Sequence, residues 1–139
     1  MILIDETNQA NVFQIGDEKL IEALNILKRN KEEEIRMLRG KIVEYEEKRR
    51  TEDALYRSLS PIKKLFTSRA PIHHQAVEYM VYVKDRFKTI EKLKQKIIIL
   101  DKQISVVHSK TNTDDLLLSG LLMEEIKAWK EARDSKHEH

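Results

Sequence analysis

The chain has 139 residues, of which 36% are charged and 6% aromatic, with three glycines, two prolines and no cysteine. So few turn-formers among so many Lys, Glu, Arg and Leu is the composition of long helices, and a patterned 40% of hydrophobic residues argues against disorder. The absence of cysteine excludes disulfides, thiolate chemistry and cysteine-based zinc sites.

Residues 1–16 read as an irregular polar leader tipped by Ile2-Leu3-Ile4. Asp5 and Glu6 stand where a signal peptide would carry bases. Asp17 and Glu18 then suit the start of a helix, where acids favour the dipole.

From 17 to 59 apolar residues recur every seven positions. One register holds Ile21, Ile35, Ile42 and Tyr56, and the other Leu24, Leu38, Tyr45 and Leu59. Lys28, Arg49, Lys31 and Glu52 fill the remaining turns of these a and d positions. Ser60-Pro61 ends the helix, because the residue before a proline avoids the α region.

Residues 60–71 form a proline-bounded connector, with Ile62 to Phe66 suited to a short helical turn. A second long helix, 72–108, has a cleaner heptad. Ala76, Val83, Ile90, Ile97 and Ile104 lie at a, and Tyr79, Arg86, Leu93, Leu100 and Val107 at d. The run Ile97-Ile98-Ile99-Leu100 therefore belongs to a helix and not a strand. Ile97 and Leu100 join the seam, while Ile98 and Ile99 form with Val106 a second apolar strip that needs its own cover. A third helix, 113–136, begins with Asp114 and Asp115 and bears the stripe Leu118, Leu122, Ile126, Trp129, widened by Leu117 and Leu121.

The expected fold is all-α: a long antiparallel coiled-coil hairpin with a third, shorter C-terminal helix. The shortest connection pairs Tyr45 with Ile90, Ile42 with Leu93 and Leu38 with Ile97. It also sets Arg49 opposite Arg86, with Glu52 one layer away, as an Arg–Glu–Arg cluster. Lys28 and Lys31 would open the far end of the seam, where the third helix could enter and cover Ile98 and Ile99.

No stretch approaches the ~20 apolar residues that span a bilayer. A cytoplasmic protein without membrane insertion is expected. His73 and His74 are adjacent and diverge on a helix by about 100°, His108 stands alone, and His137 and His139 lie in a tail, so no metal site is expected. Glu32, Glu33, Glu34, Glu44, Glu46 and Glu47 are placed for surface pairs with Arg36, Lys48 and Arg50. There is no Gly-rich phosphate loop and no recognisable nucleophile–base spacing. Neither cofactor nor catalysis is expected.

Charge is unevenly spread. Residues 60–112 hold eleven bases against four acids, residues 17–59 eleven against eleven, and residues 113–139 four against seven. The simplest outlet is pairing between the basic second helix and the acidic third. Otherwise an acidic protein partner would take up Lys84, Lys88, Lys92, Lys94, Lys96 and Lys102. Nucleic acid binding through residues 62–102 is the alternative, although no aromatic stacking platform interleaves these lysines.

Apolar candidates for a partner surface are Phe66, Met80, Phe87, Ile98, Ile99, Val106, Leu117, Leu121, Met123 and Trp129. They point to a non-enzymatic interaction protein (adaptor, scaffold, chaperone or inhibitor) that self-associates through its second apolar strip. The segment "EYEEKRRTEDALY" followed by a second heptad helix is similar in pattern to the helical stalk proteins of flagellar and type III export machines and to small secretion chaperones. That resemblance implies a stalk-like component or export chaperone as a further alternative, and it carries over no functional residue.

Overall fold

The computed structural model describes residues 1–59, 77–110 and 114–137. In chain order the elements are β1 (Ile2–Asp5), β2 (Val12–Gln14), α1 (Asp17–Ser58), a π-helical turn (Met80–Lys84), α2 (Asp85–Ser109), β3 (Asp115–Leu118) and α3 (Gly120–His137). The protein is mostly helical, broadly as the all-α expectation has it, with a small three-stranded sheet in addition. The connector 60–71, including Ile62 and Phe66, lies outside the described residues, as do His73, His74, Ala76 and His139.

The three strands form one sheet in the order β2-β1-β3, with β1 antiparallel to β2 and parallel to β3. Two expectations fail here for one reason. The supposed leader contains two strands, and the supposed first turn of the third helix is a strand. Ile2 pairs with Asp115, so the partner of β1 lies most of the chain away. Four residues carry too little local pattern to reveal such pairing, and tertiary context then overrides helix propensity. Once paired, β1 alternates: Leu3 and Asp5 are buried, and Ile2 is exposed.

Asp5 closes the β1–β2 turn. Its Oδ1 accepts the Thr7 amide at 2.9 Å, the Thr7 hydroxyl at 2.8 Å and the Asn8 amide at 3.3 Å, while Oδ2 accepts Asn11 Nδ2 at 3.3 Å. The same carboxylate abuts α3. A Cβ on Gly120 would stand 2.7 Å from Oδ2. Helix α3 starts where Ser119 Oγ accepts the Leu122 amide at 3.2 Å, a side-chain N-cap.

Backbone contacts divide the chain into two compact units, Met1–Lys31 with Gln95–His139, and Glu32–Lys94. In the first, Leu3, Leu116 and Leu118 on one face of the sheet share a core with Leu20 and Leu24 of α1, Leu100 and Val107 of α2, and Leu122, Met123 and Ile126 of α3. Each such side chain is worth about 1.5–3 kcal/mol when fully buried, so this apolar layer dominates the unit's stability. Lys28 reaches Asp101 at 2.7 Å and Lys31 reaches Glu125 at 2.9 Å, closing with ion pairs the end of the seam that was expected to open.

In the second unit Ile35, Ile42, Val83, Ile90 and Leu93 are buried, as the heptad predicts. The pairing differs from the expected register. Tyr45 stacks on Tyr82, ring centroids 5.3 Å apart, so it cannot face Ile90 two turns further along α2. Arg49 lines a cavity with Tyr79 and Val83. Arg86 instead stacks its guanidinium 5.2 Å above the Tyr82 ring, and Glu52 pairs with Lys48 at 4.0 Å, so no Arg–Glu–Arg cluster forms. The π-helical turn gives a local cause. Its wider winding shifts the helix face, leaving Tyr79 54% exposed although the heptad assigns it to the seam.

Candidate interaction surfaces

The helical stretch 77–109, which includes the π-helical turn and α2, presents two kinds of surface. In the second unit, Val77, Tyr79, Met80, Val81 and Tyr82 are all exposed large side chains within six positions. Phe87, 51% exposed, follows Met80 by one heptad. Lys84, Lys88, Lys92 and Lys94 are exposed on the same stretch. Tyr79 and Tyr82 precede the bases Lys84 and Arg86, and Phe87 stands between Arg86 and Lys88.

None of Lys84, Lys88, Lys92, Lys94, Lys96 and Lys102 has a carboxylate within ion-pairing distance among the described residues. The expected pairing of a basic second helix with an acidic third is not observed. The acids of α3 look elsewhere: Glu125 to Lys31 on α1 and Glu124 to Lys127 on its own helix. The bases of α3 are also engaged. Arg133 pairs with Glu22 on α1, while Lys127 and Lys130 lie 5.8 and 5.4 Å from the Phe13 ring.

The other surface is a flank of α2 in the first unit. The predicted strip of Ile98, Ile99 and Val106 divides there. At 100° per residue Ile98 points away from the other two, and it is 58% exposed. Val106 is half-buried and packs on the core. Ile99 lines a cavity of about 190 Å³ with Leu121, Leu122 and Lys96, while Lys31 and Glu125 contribute their ion pair to its wall. One turn along, Gln103, Val106 and Lys110 line a second cavity of about 590 Å³, opposite Asp115 and Leu117 of β3. The structure thus gathers Ile99, Val106, Leu117 and Leu121 along one flank.

Met123 is fully buried and belongs to the core. Trp129 packs against that core, half-buried, with the Arg133 guanidinium 5.3 Å above its ring. Both residues serve the fold first. Sequence reasoning missed Gln103 altogether. Its Oε1 is buried and has no hydrogen-bond partner, a state that a lone polar residue in a helix does not advertise.

Among the described residues, Asp5 is a group whose pKa clearly departs from the ordinary value. The Thr7 amide and then the Thr7 hydroxyl hold its carboxyl below the usual carboxylate range; burial opposes them, and Asn11 and the Asn8 amide add smaller lowering effects. These bonds all lie within the β1–β2 turn, so the shift belongs to the fold. No described helix is long and apolar enough to cross a membrane. No protein-family model matches the chain, and neither a curated protein nor a solved structure is similar to it.

Proposed function

We propose that the protein is a non-enzymatic interaction module, containing an antiparallel helical hairpin and a small α/β unit, that meets an acidic protein partner through the π-helical turn and α2. The single observation behind this reading is the run of exposed Lys84, Lys88, Lys92 and Lys94 in the second unit, without a carboxylate partner among the described residues, beside exposed Met80 and Phe87. Uncompensated charge of one sign steers an oppositely charged partner, and apolar side chains among it supply the area that holds one. The antiparallel reading rests on two contacts. Tyr45 meets Tyr82 and Lys28 meets Asp101, so rising numbers on α1 meet falling numbers on α2. Self-association through the second apolar strip, of which Ile98 is exposed, and a cytoplasmic location belong to this proposal. An adaptor, a scaffold, an inhibitor and an export chaperone or stalk all fit it.

A second reading, nucleic acid binding, is favoured by Tyr79 and Phe87, which stand exposed among Lys84, Arg86 and Lys88.

Affinity purification of the full chain from its own cells, with the eluate tested at rising salt, separates the two. A protein partner lost on Met80→Asp or Phe87→Asp supports the first reading. Nucleic acid binding that falls steeply and linearly in log–log salt dependence supports the second. A chain that stays monomeric in solution at micromolar concentration removes self-association.

A further inference from the structure

β3 forms one edge of the sheet, with no further strand beside it among the described residues. In the first unit, Ile99, Gln103, Val106 and Lys110 recur at spacings of three and four, which aligns them on one flank of α2. Two cavities open along this flank: one is lined also by Asp115, Leu116 and Leu117 of β3 and by Ile4 and Gln9, the other by Ser119, Leu121 and Leu122 at the start of α3.

The edge has unspent hydrogen-bonding capacity. Ile2 N–H donates to Asp114 O and Glu6 N–H to Leu118 O, so the even-numbered residues of β3 face β1. In a parallel ladder the alternate residues, Asp115 and Leu117, turn their N–H and C=O groups away from it. The buried Gln103 Oε1, an acceptor with no donor, lies on a residue lining the same cavity. Apolar walls flank these groups: Val106 and the 55% exposed Leu117 at one end, Ile99 and the 65% exposed Leu121 at the other.

We infer that this groove takes an extended, acidic and apolar polypeptide segment of a partner protein, which pairs with β3 as a fourth strand. Main-chain groups opposite Asp115 and Leu117 supply the affinity of strand addition, and alternate side chains enter the two cavities. At about 190 Å³ the smaller cavity is below the size of ordinary small-molecule sites and suits one apolar side chain. Charge gives the polarity. Asp115 faces the same cavity as Lys110 and offsets it, whereas Lys96 at the far end has no carboxylate within pairing distance among the described residues. The partner's carboxylate therefore belongs at the Lys96 end. This site goes beyond the function proposed above and shares no residue with the surface that carries it, because Met80, Phe87 and Lys84 to Lys94 lie in the other unit.

The test uses the full chain and a phage-displayed random dodecapeptide library as the probe. Selected peptides, resynthesised, are measured by fluorescence polarisation against wild type, Leu117→Pro and Lys96→Glu. Proline is tolerated at an edge position whose N–H points outward, so L117P blocks strand addition while leaving the β1–β3 pairing in place. The expected peptides alternate apolar residues with an Asp or Glu. Their affinity falls tenfold or more in L117P and several-fold in K96E, and hydrogen exchange at Leu117 N–H slows when peptide is added. If L117P fails to fold, K96E and the exchange measurement carry the test. Failure to enrich any peptide, equal binding by wild type and L117P, or an unchanged Leu117 exchange rate overturns the inference. A doubled mass of the free protein that L117P abolishes also overturns it, since a second copy would then fill the groove.

Discussion

Lys31 Nζ lies 2.9 Å from Glu125 Oε2, joining α1 to α3, and the lysine side chain is only 13% exposed. An ion pair this sheltered is weakly screened, and removing one partner strands the other charge beside apolar walls. Lys31→Met or Glu125→Gln is expected to cost about 1–3 kcal/mol in urea unfolding, less than a fully buried pair because Glu125 remains partly wet. The double variant should recover part of that loss, and the double-mutant cycle measures how much.

Gly120 faces Asp5 too closely for a side chain. Alanine there would bring its Cβ to 2.7 Å from Oδ2 and 3.3 Å from Cγ, and the carboxylate is held by three neighbours and cannot swing aside. Although alanine ordinarily favours a helix, Gly120→Ala is expected to destabilise by about 1–2 kcal/mol, overpacking outweighing propensity. In an Asp5→Ala background the same change should be neutral or stabilising. Thermal melts of the four proteins decide it.

The acid limb of stability should reflect Asp5. Its folded-state acidity lies below the ordinary value of 3.8, chiefly through the Thr7 amide. The stabilisation it brings is therefore present above that value and is lost as pH falls through and below it. Asp5→Asn should be less stable than wild type at neutral pH, with the gap narrowing steadily from about pH 4 downward. Paired unfolding curves at several pH values would show this convergence.

Register can be read by cross-linking, because a chain without cysteine gives a clean background. Tyr45→Cys with Tyr82→Cys should be joined by a short bismaleimide within one chain, whereas Tyr45→Cys with Ile90→Cys should not. Mass spectrometry of the digest identifies the link. The reverse result would restore the register that the shortest connection predicts.

The seam was the legible part of this molecule. Ile35, Ile42, Val83, Ile90 and Leu93 sit on a seven-residue repeat, and a repeat sustained over several turns leaves little choice but a helix that buries them. Their pairing was not legible, since a heptad looks the same when slid by seven, and only Tyr45 on Tyr82 distinguishes the alternatives. The sheet escaped for a different reason. Ile2-Leu3-Ile4 and Leu116-Leu117-Leu118 acquire their alternation only when paired with each other. The flank surface was half legible: Ile99, Val106, Leu117 and Leu121 stand out as apolar residues left over from the seam. Gln103 and Asp115 gain meaning only from the strand edge beside them.

The parallel pairing of Ile2 with Asp115 also bears on synthesis at the ribosome. The first strand leaves the exit tunnel long before its partner exists, so Leu3 must wait, exposed, while both long helices are translated. Contacts this distant in sequence slow folding. A nascent chain stalled short of residue 114 would offer that greasy strand to chaperones or to its neighbours on the polysome.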